Sequence, residues 1–113
     1  MKKKLSALAL ALVLALSLCL TGCGGSDTLT LNVYNWGEYI SDGSDGSLDT
    51  IHAFEDWYES TYGQKVKVNY STYASNEDMY AKIAMGGASY DVIIPSDYMI
   101  ERMIQENLLQ KIN

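Results

Sequence analysis

Apolar and polar residues alternate from Leu29 to Tyr34, with Leu29, Leu31 and Val33 set against Thr30, Asn32 and Tyr34. A period of two predicts a half-buried strand. The segment Ser41-Asp42-Gly43-Ser44-Asp45-Gly46-Ser47 that follows is polar and rich in glycine, which predicts a solvated loop. Leu48, Ile51, Phe54, Tyr58 and Thr61 or Tyr62 then recur at helical spacing. Ser47 stands where an N-cap is expected, Asp49 in the first turn, and Gly63 at the close. Val66, Val68 and Tyr70 alternate again as a second strand. Ser75, with Asp78 three residues on, opens a short helix over Met79 and Ile83 that Gly86-Gly87 ends. Val92-Ile93-Ile94 is a continuous apolar run stopped by Pro95, the pattern of a strand buried on both faces. Ser96 or Asp97 caps a third helix over Met99, Ile100, Met103 and Ile104, ending near Asn107.

The order is therefore β-α-β-α-β-α. Strands alternating with helices imply an α/β fold in which the three strands form a parallel sheet with helices on its faces. A parallel sheet this small has two unpaired edges and little cover. Leu108-Leu109-Gln110-Lys111-Ile112 begins a further apolar segment. The expectation is the first part of a larger unit, incomplete as it stands.

The N-terminus reads as an export signal. Lys2, Lys3 and Lys4 precede an uncharged apolar run from Leu5 to Leu20. A membrane-spanning helix needs about 20 apolar residues, so a cleaved signal over residues 1–22 fits better. The run ends in Leu20-Thr21-Gly22-Cys23, which resembles the bacterial lipobox. In a lipobox the Cys is acylated and becomes the new N-terminus, so Cys23 is the expected point of lipid attachment. Residues 23–28, with Gly24-Gly25-Ser26-Asp27, then form a tether that holds the domain off the bilayer.

Charge and cysteine usage narrow the chemistry. The chain has 8 Lys+Arg, 14 Asp+Glu and a net charge of −6. Three of the lysines lie in the signal and every acid lies after Cys23, so the exported part is more acidic still. That argues against nucleic acid, which needs a basic face. Cys19 falls in the removed run and Cys23 carries lipid, so no Cys remains for a disulfide or a metal site. His52, the only His, has no second His or Cys to share a metal, and neither metal nor cofactor is expected. The Ser41–Ser47 loop lacks calcium-loop spacing, because Ser41 and Gly43 stand where acids or amides are needed. Enzyme motifs are absent, and Asp42 and Asp45 sit in a loop that makes a poor platform for acid/base work.

In open α/β sheets, ligands bind outside the carboxyl ends of the strands. Trp36-Gly37-Glu38-Tyr39 follows strand one and Ser96-Asp97-Tyr98 follows strand three. Both are dense in rings and in acidic or hydroxyl groups. If the two strands are neighbours, the loops face each other across one crevice. Rings attract an organic ammonium and cover the methylenes between amines, while a carboxylate pairs with the charge. The same residues would also serve to close the sheet end, with Ser96 or Asp97 acting only as a cap. Pattern alone leaves both roles open. Tyr70 and Tyr73 flank a strand end and have no assigned role.

At these residues the sequence resembles the spermidine/putrescine-binding proteins of bacterial ABC transporters. The matching stretches are Val33–Tyr39, Tyr70–Glu77, Met79–Lys82, Tyr90–Ser96 and Gln110–Ile112, in order and at family-like spacing. The resemblance implies a two-lobed type II periplasmic-binding-protein fold that closes on its ligand, with residues 29–113 as the N-terminal part of lobe 1. By it, Trp36, Glu38, Tyr39, Ser96 and Tyr98 fall on ligand-contacting positions. Gly37 stands where a Thr or Ser side chain often contributes in the family. The implied function is the non-enzymatic, extracytoplasmic substrate-binding component of a polyamine transporter. Its partners would be a small polyamine, the permease subunits and, through Cys23, the membrane. Rival readings keep the fold for an amino acid, an iron complex or thiamine, or make the chain an extracytoplasmic enzyme or adhesive lipoprotein.

Overall fold

A computed structural model describes residues 27–112. The expected signal, Cys23 and the first part of the tether lie outside the described residues. The elements are β1 (Leu29–Trp36), a short 3-10 turn (Ser44–Gly46), α1 (Thr50–Tyr62), β2 (Val66–Tyr73), α2 (Asn76–Ala84), β3 (Val92–Ile93) and α3 (Asp97–Gln105). The strands form one parallel sheet in the order β2-β1-β3. β1 runs beside β2 along its whole length, from Leu29 opposite Val66 to Trp36 opposite Tyr73. On its other side, Val33 and Tyr34 pair with Val92 and Ile93. The predicted α/β order and the parallel sheet are both present.

Because paired residues of a parallel sheet share a face, the register sorts the side chains into two sets. Leu29, Leu31, Val33 and Asn35 stand with Val66, Val68 and Tyr70 on the face that α1 covers. Tyr34 and Trp36 stand with Ser71 and Tyr73 on the other face, against α2 and α3. There Tyr34, Tyr73, Met79, Met99 and Met103 form the buried core. This corrects the sequence expectation for strand one, which set Tyr34 on the polar side. Alternation marks two faces, but both are buried when helices cover both.

The strand expected over Val92-Ile93-Ile94 is also corrected. It has two residues, and Val92 is 41% exposed. β3 has β1 on one side only, and among the described residues nothing pairs with its outer edge. The Ile94 amide still donates to the Tyr34 carbonyl, and Pro95 then ends the pairing.

Helix caps follow local chemistry. The Ser75 hydroxyl accepts from the Asp78 amide at 3.1 Å, as the sequence predicts. α1 begins later than predicted: Asp49, not Ser47, is the N-cap, and its carboxylate accepts from the His52 amide. The preceding loop folds back to make this possible. The Thr50 amide donates to the Ser41 carbonyl, and the Ser41 and Thr50 hydroxyls lie 2.9 Å apart. Gly63 closes α1 at φ 69°, where a side chain would be strained. Glu55 on α1 accepts from the Val68 amide at 2.7 Å and reaches Lys67 at 3.5 Å. It thereby satisfies a backbone donor on the open edge of β2.

Two predictions follow. Met103, fully buried at the centre of the core, leaves a cavity when truncated. Met103→Ala should lower the unfolding free energy by about 2–5 kcal/mol in urea titration. The second concerns Asp49 and His52. The His52 ring, hydrogen-bonded to Asp49, is held above its ordinary value, and Asp49 is held below its own by the same contact. The Asp49 contribution to stability is therefore present above the ordinary carboxylate value and lost as pH falls through its lowered one. The His52 contribution is present below the ordinary imidazole value and lost as pH rises through its raised one. A proton NMR titration should show a raised His52 midpoint that returns to the ordinary value in Asp49→Ala; an unchanged midpoint would contradict the pairing.

Candidate functional site

Strand order creates the site. The chain leaves β1 for β2 on one side, then crosses back to place β3 on the other, so the sheet has its switch point between β1 and β3. A cleft opens outside the carboxyl ends of such a pair, because the connections leave in opposite directions. The two segments singled out from sequence are the ones that leave these two strand ends.

Trp36 is the last residue of β1. Its amide donates to the Asn35 side-chain carbonyl at 2.7 Å. Its half-buried ring lies 4.8 Å from the Tyr73 ring, tilted by 53°. Gly37 turns the chain, and its amide donates to the Tyr73 carbonyl at 3.3 Å. Glu38 then sits at φ 55°, a left-handed conformation uncommon for a residue with a side chain. Its exposed side chain lines a cavity of about 270 Å³ with Asp42, Asp49, Tyr70 and Thr72. Tyr39 is exposed.

Ser96 and Tyr98 open α3 at the end of β3. Both are held by Asn76, the first residue of α2, which is only 4% exposed. The Asn76 amide nitrogen donates to the Ser96 hydroxyl at 3.0 Å and to the Tyr98 hydroxyl at 2.9 Å. Its carbonyl oxygen accepts from the Ser96 backbone amide at 3.1 Å. This explains why Ser96 occupies the N-cap position of α3 without a side-chain capping bond: its hydroxyl is engaged elsewhere. The Tyr98 hydroxyl also donates to Glu77 at 2.9 Å.

Tyr73 joins the two halves. Its hydroxyl donates to the Ile94 carbonyl, just beyond β3, while its ring touches Trp36 and Tyr34. Burial pushes its phenol up to about 12, with the neighbouring tyrosines Tyr34, Tyr39 and Tyr70 adding to the shift. Asn35, buried beside Trp36, donates to the Tyr70 hydroxyl at 3.0 Å and ties β1 to β2.

The structure thus brings Ser96 and Tyr98 together on Asn76, and links Trp36 to them through Tyr73 and the backbone at Ile94. It does not bring Glu38 into that cluster; Glu38 borders the cavity on the α1 side. Sequence reading missed Asn76 and Glu77, and left Tyr73 without a role. Tyr34 and Tyr90, stacked at 4.4 Å, are not open to a ligand cation, because Lys82 already lies 5.0 and 5.6 Å from their centroids. Among the described residues, no group of three or more His, Cys, Asp or Glu is arranged to hold a metal ion. No described helix is long and apolar enough to cross a membrane.

Comparison with known proteins identifies relatives of the chain. The chain is 39% identical to the spermidine/putrescine-binding periplasmic protein of Salmonella typhimurium over 89 residues, covering 78% of the chain and 22% of that protein. It is 34% identical to the putrescine-binding periplasmic protein SpuD of Pseudomonas aeruginosa, covering 78% of the chain and 21% of that protein. Among solved structures, it matches the spermidine/putrescine ABC transporter substrate-binding protein PotD of Streptococcus pneumoniae. That match has a TM-score of 0.58 and 37% identity, over 76% of the chain and 23% of PotD. The chain therefore spans about a fifth of the length of the relatives it matches. The three-stranded parallel arrangement is that of part of a periplasmic-binding-protein fold. The family described as "Hypothetical lipoprotein (MG045 family)" matches residues 1–113, and the chain belongs to it.

Proposed function

We propose that this chain carries part of the ligand cleft of an extracytoplasmic substrate-binding lipoprotein of a polyamine ABC transporter. One observation supports the reading most: the Trp36 and Ser96–Tyr98 segments leave the carboxyl ends of two adjacent parallel strands, at the switch point of the sheet. The names of the relatives supply the ligand class.

Each predicted residue has a role in this reading. Trp36, Tyr39 and Tyr98 offer ring faces, which attract a cation by about 0.5–2 kcal/mol and cover apolar methylenes at about 0.8 kcal/mol each. Glu38, outside the Ser96–Tyr98 cluster on the exposed turn after Trp36, pairs with the ammonium at the far end of the ligand, a charged hydrogen bond worth about 1.5–3 kcal/mol. Ser96 hydrogen-bonds a second amine. The chain is a carrier and performs no chemistry. A second lobe completes the cleft, and its closure presents the loaded protein to the permease subunits. Acylation of Cys23 holds the domain, through residues 23–28, at the outer face of the membrane.

This chain supplies one wall of the cleft, so its own affinity is weak. NMR titration of the full chain with putrescine and with spermidine should give apparent dissociation constants of about a millimolar, equivalent to roughly 4 kcal/mol. Shifts should concentrate at Trp36, Tyr39 and Tyr98. Trp36→Ala and Glu38→Ala should each weaken binding about tenfold, the size of a cation–π contact or a charged hydrogen bond. Submicromolar binding would contradict the one-wall account, and unchanged affinity in both variants would remove those residues from the site.

A further inference from the structure

The hydrogen bonds around Tyr98 have a fixed direction, and that direction can be deduced. The Ser96 backbone amide can only donate, so the Asn76 atom facing it at 3.1 Å is the carbonyl oxygen. The Asn76 amide nitrogen is then the atom facing the two hydroxyls, and it can only donate to them. Glu77, as a carboxylate, can only accept, so the Tyr98 hydroxyl must spend its single proton there. The relay runs from the Ser96 amide through Asn76 and Tyr98 to Glu77. At its end the Tyr98 oxygen retains one lone pair and no free proton. Tyr98 itself is 52% exposed, so a ligand can reach the residue.

We propose that Asn76 and Glu77 are positioning residues that set the polarity of the Tyr98 hydroxyl, so that it accepts from a ligand N–H and cannot donate to a ligand oxygen. The proposal rests on the polyamine reading of the site and adds its selectivity. Ammonium groups, which only donate, are accommodated. Ether, carbonyl or carboxylate oxygens, which only accept, are not. Ser96 is left adaptable: its hydroxyl accepts one N–H from Asn76 and keeps its own hydrogen. Asn76 suits this role because burial and three hydrogen bonds allow its amide one orientation.

The phenol of Tyr98 reports the same arrangement without a ligand. Its hydrogen bond to Glu77 raises its pKa above the ordinary tyrosine value. The Asn76 donor partly offsets this, while burial and the charges of Glu77 and Asp97 add to the rise.

The test compares putrescine with 4-methoxybutylamine, which exchanges one ammonium for an ether oxygen that can only accept, by NMR titration of the full chain. Glu77→Gln removes the charge but keeps an oxygen that accepts the Tyr98 proton. Glu77→Ala removes the acceptor as well and frees that proton for the ether oxygen. The preference for the diamine should be about fivefold smaller in Glu77→Ala than in Glu77→Gln, the size of one ordinary hydrogen bond. In a Tyr98→Phe background the two variants should not differ. Equal preference in Glu77→Ala and Glu77→Gln with Tyr98 intact overturns the proposal. If the chain binds neither amine, the polyamine reading fails, and the Tyr98 titration decides the polarity separately. A raised Tyr98 midpoint that falls in Glu77→Ala supports it; an ordinary midpoint in the unmodified chain overturns it.

Discussion

The site depends on a short parallel pairing. Val33 and Tyr34 of β1 meet Val92 and Ile93 of β3, and this pairing sets the end of β3 beside the end of β1. Without it, β1 and β2 would still pair along their length, but the Ser96–Tyr98 segment would be held beside Trp36 only by side-chain bonds and packing. So short a ladder contributes little by itself, since a net hydrogen bond is worth about 1 kcal/mol. Its geometry is held by packing and side-chain bonds around it. Met79, Met99 and Met103 fill the space beneath, and the Tyr73 hydroxyl clamps the backbone at Ile94.

Three buried polar residues then turn a strand pairing into a shaped corner. Asn35 joins Trp36 to Tyr70, Tyr73 joins Trp36 to Ile94, and Asn76 joins Ser96 to Tyr98. Among the described residues, no buried side-chain nitrogen or oxygen is left without a partner. Satisfied networks of this kind favour one arrangement, because every alternative exposes an unpaired group to a low-dielectric interior. The corner is therefore formed before a ligand arrives, while Glu38 and Tyr39 stay exposed on the outer turn.

Much of this was legible in the sequence, for identifiable reasons. Element order followed from periodicity, and Gly63 and Pro95 marked where elements stop. Trp36 and Ser96 could be placed at strand ends because Gly37 and Pro95 interrupt the apolar runs. Tyr34 was misplaced because alternation cannot say which face is covered when both are. The start of α1 was misjudged because Ser47 and Asp49 are equally good caps, and the fold of the Ser41–Ser47 loop decides between them. Asn76 was invisible because its partners lie 20 and 22 residues away, beyond any local pattern. Glu38 was legible as a loop acid, but not the side of the sheet its carboxylate would favour.

The central claim is that the ends of β1 and β3 form one surface for an aliphatic cation. Intermolecular NOEs from the methylene protons of bound putrescine test it most directly. The account predicts contacts to both the Trp36 and the Tyr98 rings in the same complex. Contacts confined to exposed rings of α1, such as Trp57 and Tyr62, would contradict it.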